Sequence, residues 1–238
     1  MRTIDESGFD LTSALETADT APRFEVRDTP YGVLIGARRE RPNDEYYWRI
    51  TQYLLPFYTM APTDTADGPI SGHVWVPADD GNLINWTFTY HPTRPLRPEE
   101  RAALHGGKSS HVLDYAPPTS EPYGDVRPRA TRANDYFMDW EAHRTRYYCG
   151  IPGFGMQDQA LQESQEAIVD RTQEHLGSSD AAIIQVRRRL LTAAKRLRQD
   201  GRAPDYDPAL YRVRSASVAL PRGADWAAAA QARLLARA

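Results

Sequence analysis

The residues of this chain that could do chemistry are few. His105 and His111 stand six apart with Asp114 nearby, an arrangement that invites a metal reading. Imidazoles at that spacing on a Gly-Gly-Lys-Ser-Ser segment have no enforced geometry, unlike a histidine pair at i, i+4 on a helix. They read as loop histidines. His73 sits in Gly-His-Val-Trp-Val-Pro, where strand alternation puts His73, Trp75 and Pro77 on one face and Val74 and Val76 on the other. Histidine beside tryptophan suits an apolar pocket with one polar handle for an aromatic ligand; a core histidine satisfied by a backbone group accounts for the segment equally well. Asp158 and Glu163 lie in Met156-Gln157-Asp158-Gln159-Ala160-Leu161-Gln162-Glu163, where a carboxylate in the first turn of a helix ordinarily compensates the helix dipole. Gly150-Ile-Pro-Gly-Phe-Gly lacks the spacing of a dinucleotide loop and reads as a plain connection.

Composition closes several other routes. Cys149 is the single cysteine among 238 residues, so this sequence supplies no internal disulfide, no multi-thiolate zinc site and no cysteine-held iron–sulfur cluster. The net charge of −3 provides no general attraction to nucleic acid or anionic membrane. Arg187–Arg189 is the one basic run, and a solvated helix face explains it. Met1–Asp10 is polar, with no apolar core of a secretory signal. No segment approaches the roughly 20 apolar residues of a membrane helix. The expectation is a cytoplasmic protein with neither a nucleic-acid nor a membrane partner.

The elements that must position these residues fall into two halves. Residues 1–22 read as a polar lead-in. Strands over Arg23–Asp28 and Val33–Arg39 flank the turn Thr29-Pro30-Tyr31-Gly32. Glu45–Met60 reads as one long strand bent at Pro56, and Ser71–Pro77 and Leu83–Tyr90 flank the hairpin loop Ala78-Asp79-Asp80-Gly81-Asn82. A short helix over Arg97–Leu104 precedes an aperiodic stretch at 105–133, long enough to suggest a lid or interface segment. Helices follow over Met156–Ser164 and Gln165–Leu176, the latter stopped by Gly177. Ser178-Ser179-Asp180 offers caps for an amphipathic helix bearing Ile183, Ile184, Val186, Leu190, Leu191, Ala194 and Leu197. Asp225–Ala238 reads as a short terminal helix. A meander followed by helices predicts an α+β fold.

Longer runs carry a resemblance. Gly150-Ile-Pro-Gly-Phe-Gly-Met-Gln-Asp158-Gln-Ala-Leu-Gln-Glu-Ser164, Ile168-Val-Asp-Arg-Thr-Gln-Glu-His-Leu-Gly177 and Asp180-Ala-Ala-Ile-Ile-Gln-Val-Arg-Arg-Arg-Leu-Leu191 resemble the Rieske non-haem iron oxygenases. The similarity is to phthalate 4,5-dioxygenase-like oxygenase subunits and their O-demethylase relatives. Upstream, Tyr47-Trp-Arg-Ile-Thr51, Leu55-Pro-Phe-Tyr-Thr59 and Gly72-His-Val-Trp-Val-Pro-Ala-Asp-Asp80 look like the same subunits, so the resemblance runs from about Arg23 to Arg214.

The resemblance implies a helix-grip catalytic domain over 23–214, an antiparallel sheet wrapped around a long helix, with 215–238 as a C-terminal tail. It implies mononuclear Fe(II) held by two histidines and one carboxylate, with Asp158 as the carboxylate. It places His73 along the substrate pocket and offers Arg23 and Arg49 to pair a substrate carboxylate. It implies an aromatic substrate, a [2Fe-2S] Rieske cluster, an NAD(P)H-dependent reductase and a trimeric homo-oligomer. This sequence carries neither the Rieske cysteines and histidines nor a histidine pair ahead of Arg23. The expectation is therefore an oxygenase portion, inactive alone, whose Rieske half lies on a missing domain or a partner subunit. The rival expectation is a non-catalytic module that holds an aromatic or hydrophobic ligand in the helix-grip cavity.

Overall fold

The computed structural model describes residues 19–62, 68–105, 111, 114–146, 149–204 and 207–236. The first eighteen positions of the expected lead-in, and residues 106–110 and 112–113 of the aperiodic stretch, lie outside the described residues. The chain divides into two units, one built from Ala14–Ala78, Leu83–Pro95 and Thr172–Ala238, the other containing Asp79–Asn82 and Leu96–Arg171.

The first unit is organised by an antiparallel sheet of β1 (Arg23–Thr29), β2 (Gly32–Arg41), β3 (Glu45–Leu54), β4 (Tyr58–Ala61), β5 (Ile70–Pro77), β6 (Leu83–Tyr90) and β7 (Ala216–Pro221). The β1–β2 hairpin forms where Pro and Gly predict it, closing at Thr29↔Gly32. The expected single strand over Glu45–Met60 is two strands. Pro56, which has no N–H for a ladder, falls in the turn between β3 and β4, and the two pair antiparallel through Gln52↔Met60 to Leu54↔Tyr58. A strand also stands ahead of the expected terminal helix. Ala216–Pro221 is short and bounded by Pro221, and it pairs with Glu45–Ile50 of β3.

β3 is thus the hub. One edge holds β2; the other is shared end to end by β7 and β4. Ser215 stitches the join: its Oγ accepts the Gln52 N–H at 3.0 Å and donates to the Met60 carbonyl at 2.6 Å. The fully buried Gln52 amide donates to the Arg214 carbonyl and accepts from Tyr31 Oη.

The two faces of β2 and β3 are covered differently. On one, Leu34, Trp48 and Ile50 pack against Ala216, Leu220 and Trp226, Ala230 and Leu234 of the terminal helix α5 (Trp226–Leu234). On the other, Val33 and Tyr53 join Leu55, Val26 and Ile35. There Val186 is the contribution of α4 (Ala181–Asp200), the long helix predicted from its apolar period. This is an α+β fold with an antiparallel sheet and a long helix, as expected.

Two arginines of α4 are not the solvated face predicted for Arg187–Arg189. Arg187 makes a bidentate pair with Glu174 at 2.6 and 2.8 Å, and Arg189 reaches Asp28 and the Thr29 carbonyl. Ser178–Asp180 forms a 3-10 turn, whose Asp180 carboxylate accepts the Gly177 N–H, and Gly201 ends α4 in the left-handed conformation at φ 64°. The helix expected over Gln165–Leu176 is replaced by a single 3-10 turn at Arg171–Gln173. Glu166 takes a left-handed φ of 73°, and Ile168, 71% exposed, finds no surface to cover. Without a buried stripe, propensity alone does not sustain a helix of that length.

Gly36 lies under the stacked Trp48 and Trp226 rings. A Cβ there would stand 2.9 Å from Trp48 Cε3 and 3.1 Å from Trp226 Cη2. Gly36→Val is expected to lower unfolding free energy by about 1–3 kcal/mol through overpacking, read as a reduced urea midpoint at unchanged slope.

Asp225 caps α5 by accepting the Ala227 and Ala228 N–H groups, and its carboxylate pairs with Arg27 at 2.8 Å. The Arg27 hydrogen bond, followed by those backbone donors, holds its pKa below the ordinary 3.8. A depressed folded pKa gives stability that is complete above the unfolded value and lost as pH falls through the folded one. Asp225→Asn is expected to flatten the acid limb of stability below about pH 4 and to leave it unchanged near neutrality in slope, measured by denaturation at stepped pH.

The second unit holds α1 (Pro98–His105), α2 (Trp140–Thr145) and α3 (Phe154–Glu163). Asp139 caps α2 by accepting the Glu141 and Ala142 N–H groups. A small core of Ala130, Tyr136, Ile151 and Ala160, flanked by Met138, Cys149 and Met156, holds the unit together.

Candidate functional site

His73 comes to its place through register. On β4, Thr59 pairs with Tyr53 of β3 and with His73 of β5, which pairs in turn with Thr87 of β6. Directly opposed residues share a face, so His73, Trp75 and Thr59 lie on the Tyr53 face of the sheet. The alternation read from the sequence holds. The imidazole stacks on the Trp75 indole, with centroids 5.0 Å apart and planes at 25°. Trp75 Nε1 donates to Thr59 Oγ1 at 2.9 Å, fixing the indole, and Asn85 Oδ1 lies 3.2 Å from His73 Nδ1. An amide oxygen only accepts, so His73 Nδ1 carries the proton in this bond. Both rings are half-buried. A stack of two rings with a polar edge is suited to extension by a further ring through offset stacking.

The two arginines are not brought together. Arg49 pairs with Ala37, whose face is that of Val33 and Ile35, so it shares the sheet face of His73. Arg23 pairs with Arg38 on the face of Leu34 and Trp226. One carboxylate cannot be clamped by both across the sheet.

Asp158 belongs to the other unit. α3 starts at Phe154 rather than at Met156, after Gly153 at φ 82°, so Asp158 sits beyond the first turn, where dipole compensation is weaker. It is half-buried and accepts from Gln162 Nε2 at 3.1 Å. Beside α3 the segment Arg-Ala-Asn-Asp-Tyr-Phe carries an unusual backbone run. Asp135, Tyr136 and Phe137 are consecutive left-handed residues at φ 51°, 54° and 53°. Such backbone costs an L-residue roughly 1–2 kcal/mol, and it recurs where a side chain must be aimed. Here it sinks the Tyr136 ring into the core against α3, with Oη 2.8 Å from Glu163 Oε2. Burial and then that carboxylate push the phenol up to about 12. Gln159 Nε2 donates to the other Glu163 oxygen at 2.7 Å. The only sequence signal is the tolerance of Asn and Asp for such backbone.

Of the loop candidates, Asp114 pairs with Arg129 at 3.4 Å, and the side chain of His105 lies outside the described residues. Among the described residues no three His, Cys, Asp or Glu side chains approach closely enough to hold a metal. A facial iron site needs two histidines beside its carboxylate; among the described residues Asp158 stands without them. No described helix is long and apolar enough to cross a membrane.

The chain is 28% identical over 225 residues to the 3-chlorobenzoate-3,4-dioxygenase oxygenase subunit of Comamonas testosteroni, covering 92% of this chain and 52% of that subunit. It is 28% identical over 181 residues to the phthalate 4,5-dioxygenase oxygenase subunit of Pseudomonas putida, covering 74% of this chain and 39% of that one. The chain spans about half the length, or less, of these curated relatives. Both are the kind of subunit that the sequence resembles. Residues 12–235 match the family described as "LigXa C-terminal domain like", and with nearly its whole length so matched, the chain belongs to that family.

Proposed function

We propose that this chain is the C-terminal part of an aromatic-ring oxygenase component. The observation that carries the reading is similarity across 92% of the chain to a subunit named for dioxygenation of an aromatic acid. Each unit has its own role in it. In the sheet unit the His73–Trp75 surface receives the aromatic ring, and Arg49, on the same face, attracts its carboxylate. In the other unit Asp158 is the single carboxylate offered to a mononuclear iron whose histidines come from outside the described residues. A reductase drawing on NAD(P)H and a Rieske [2Fe-2S] centre, also outside them, would supply the electrons. Ring hydroxylation or O-demethylation is the reaction class, in a cytoplasmic, trimeric assembly.

Binding separates the first role from the rest. Titration with 3-chlorobenzoate and with phthalate, followed by Trp fluorescence, is expected to saturate. His73→Ala, which removes one ring of the stack, should weaken binding about tenfold. Equal affinities for the wild type and the variant would sink the His73 assignment. Anaerobic addition of ferrous iron to wild type and Asp158→Ala tests the second role. Iron retained equally by both would remove Asp158 from it.

One observation favours a second reading, the ligand-holding module. A cavity of about 440 Å³ lies beside α5, lined chiefly by Tyr31, Leu34, Val213, Ala227, Leu234 and Leu235. Uncharged naphthalene binding there, insensitive to His73→Ala, together with no binding of either aromatic acid, would select the module.

A further inference from the structure

On the sheet face that carries α5, the β1–β2 ladder sets Arg23 directly opposite Arg38. Like charges at directly opposed positions repel and weaken a ladder. Arg39 follows, and together with Asp19, Glu40 and Tyr46 these arginines line a cleft of about 530 Å³.

The nearby acids only partly neutralise these arginines. Asp19 accepts the backbone N–H groups of Glu40 and Ala21, each at 3.0 Å; these bonds, and after them the charges of Arg39 and Arg23, hold its carboxyl below the usual range. Glu40 pairs with Arg222 at 2.6 Å. Glu25 Oε2 accepts from Trp226 Nε1 at 2.9 Å, leaving Oε1 3.7 Å from Arg38 Nε, beyond a hydrogen bond. The Arg23 side chain is exposed; Arg39 Nε donates to the Asp19 carbonyl at 3.1 Å, while Arg38 Nε and Arg39 Nη1 are occluded from solvent without a hydrogen-bond partner among the described residues. The Arg38 guanidinium is held over the Tyr46 ring at 4.3 Å, which fixes its plane. Arg222 also faces that ring, at 5.2 Å, so a ligand here is selected by charge rather than by stacking.

We propose that this cleft is a binding site for a small organic anion, whose carboxylate bridges Arg23 and Arg38. Placed between the two guanidiniums, a carboxylate converts their repulsion into two charge-assisted hydrogen-bonded pairs. The cleft matches the size of small-molecule sites. The site stands on the sheet face opposite His73 and does not depend on the oxygenase reading.

Succinate is the probe, titrated into the purified chain by calorimetry at low salt, with inorganic phosphate as the competing oxyanion. Saturable succinate binding is expected, weakened about tenfold or more in Arg23→Gln and in Arg38→Gln, unchanged in His73→Ala, and falling with added salt. Arg38 packs on Tyr46, so its loss can disturb folding; exposed Arg23 carries the test by itself, with circular dichroism confirming an unchanged fold. No saturable binding, or wild-type affinity in Arg23→Gln, overturns the proposal. Phosphate binding about tenfold tighter than succinate overturns its assignment to carboxylates.

Discussion

Trp226→Ala is expected to lower unfolding free energy by about 3–5 kcal/mol, the range for truncating a buried aromatic ring. Trp226 is 2% exposed and stacks on Trp48 with centroids 5.0 Å apart. Its Nε1 donates to Glu25, and the Arg27 guanidinium lies 5.1 Å from its ring. The truncation opens a cavity between α5 and the sheet, in the cluster that Ala230 and Leu234 share with Trp48. Against the 5–15 kcal/mol typical of a domain, this is a large fraction of the total. The check is urea denaturation followed by far-UV circular dichroism, with Trp226→Phe recovering part of the loss. A cost under about 1 kcal/mol would mean that α5 is an appendage rather than part of the core.

That residue also shows where the sequence was opaque. Asp225–Ala238 is Ala-rich, and its helix was legible from composition alone, but nothing local reveals that Trp226 faces Trp48, a partner 178 positions away along the chain. β7 was hidden for the same reason. A six-residue apolar run carries no period that separates strand from connection, and only pairing with β3 decides it. By contrast, the hairpins at Pro30 and Gly81 and the long helix were readable because turn chemistry and apolar period are local signals. Gln165–Leu176 failed in the other direction, since it has helical composition without a surface to pack on.

The site divides along the same line. Stacking of His73 on Trp75 follows from strand alternation, which a sequence displays directly. The separation of Arg23 from Arg49 does not, because the face of each residue depends on the register through two successive hairpins. The left-handed run that buries Tyr136 is set by tertiary packing against α3. Asp158 was raised above an ordinary helix carboxylate by resemblance alone, and its place beyond the first turn of α3 came only with the structure.

Gln52→Leu is expected to cost about 2–4 kcal/mol, with little change in side-chain volume. The loss comes from polar groups left unpaired: the Tyr31 hydroxyl and the Arg214 carbonyl both lose the Gln52 amide, and an orphaned buried group costs roughly 1–3 kcal/mol. A leucine fills the space, so the cavity contribution is small and the measurement isolates the hydrogen bonds. The position matters because it lies where β3 changes partner from β7 to β4. Ser215 still bridges the Gln52 N–H to the Met60 carbonyl in the variant, so the strands stay joined by backbone donors. Amide exchange should therefore speed up around Arg214 and Tyr31 while the β3–β7 ladder, Glu45 to Ile50, keeps its protection relative to global stability. Loss of that ladder's protection along with the rest would instead assign the partner switch of β3 to the Gln52 side chain itself.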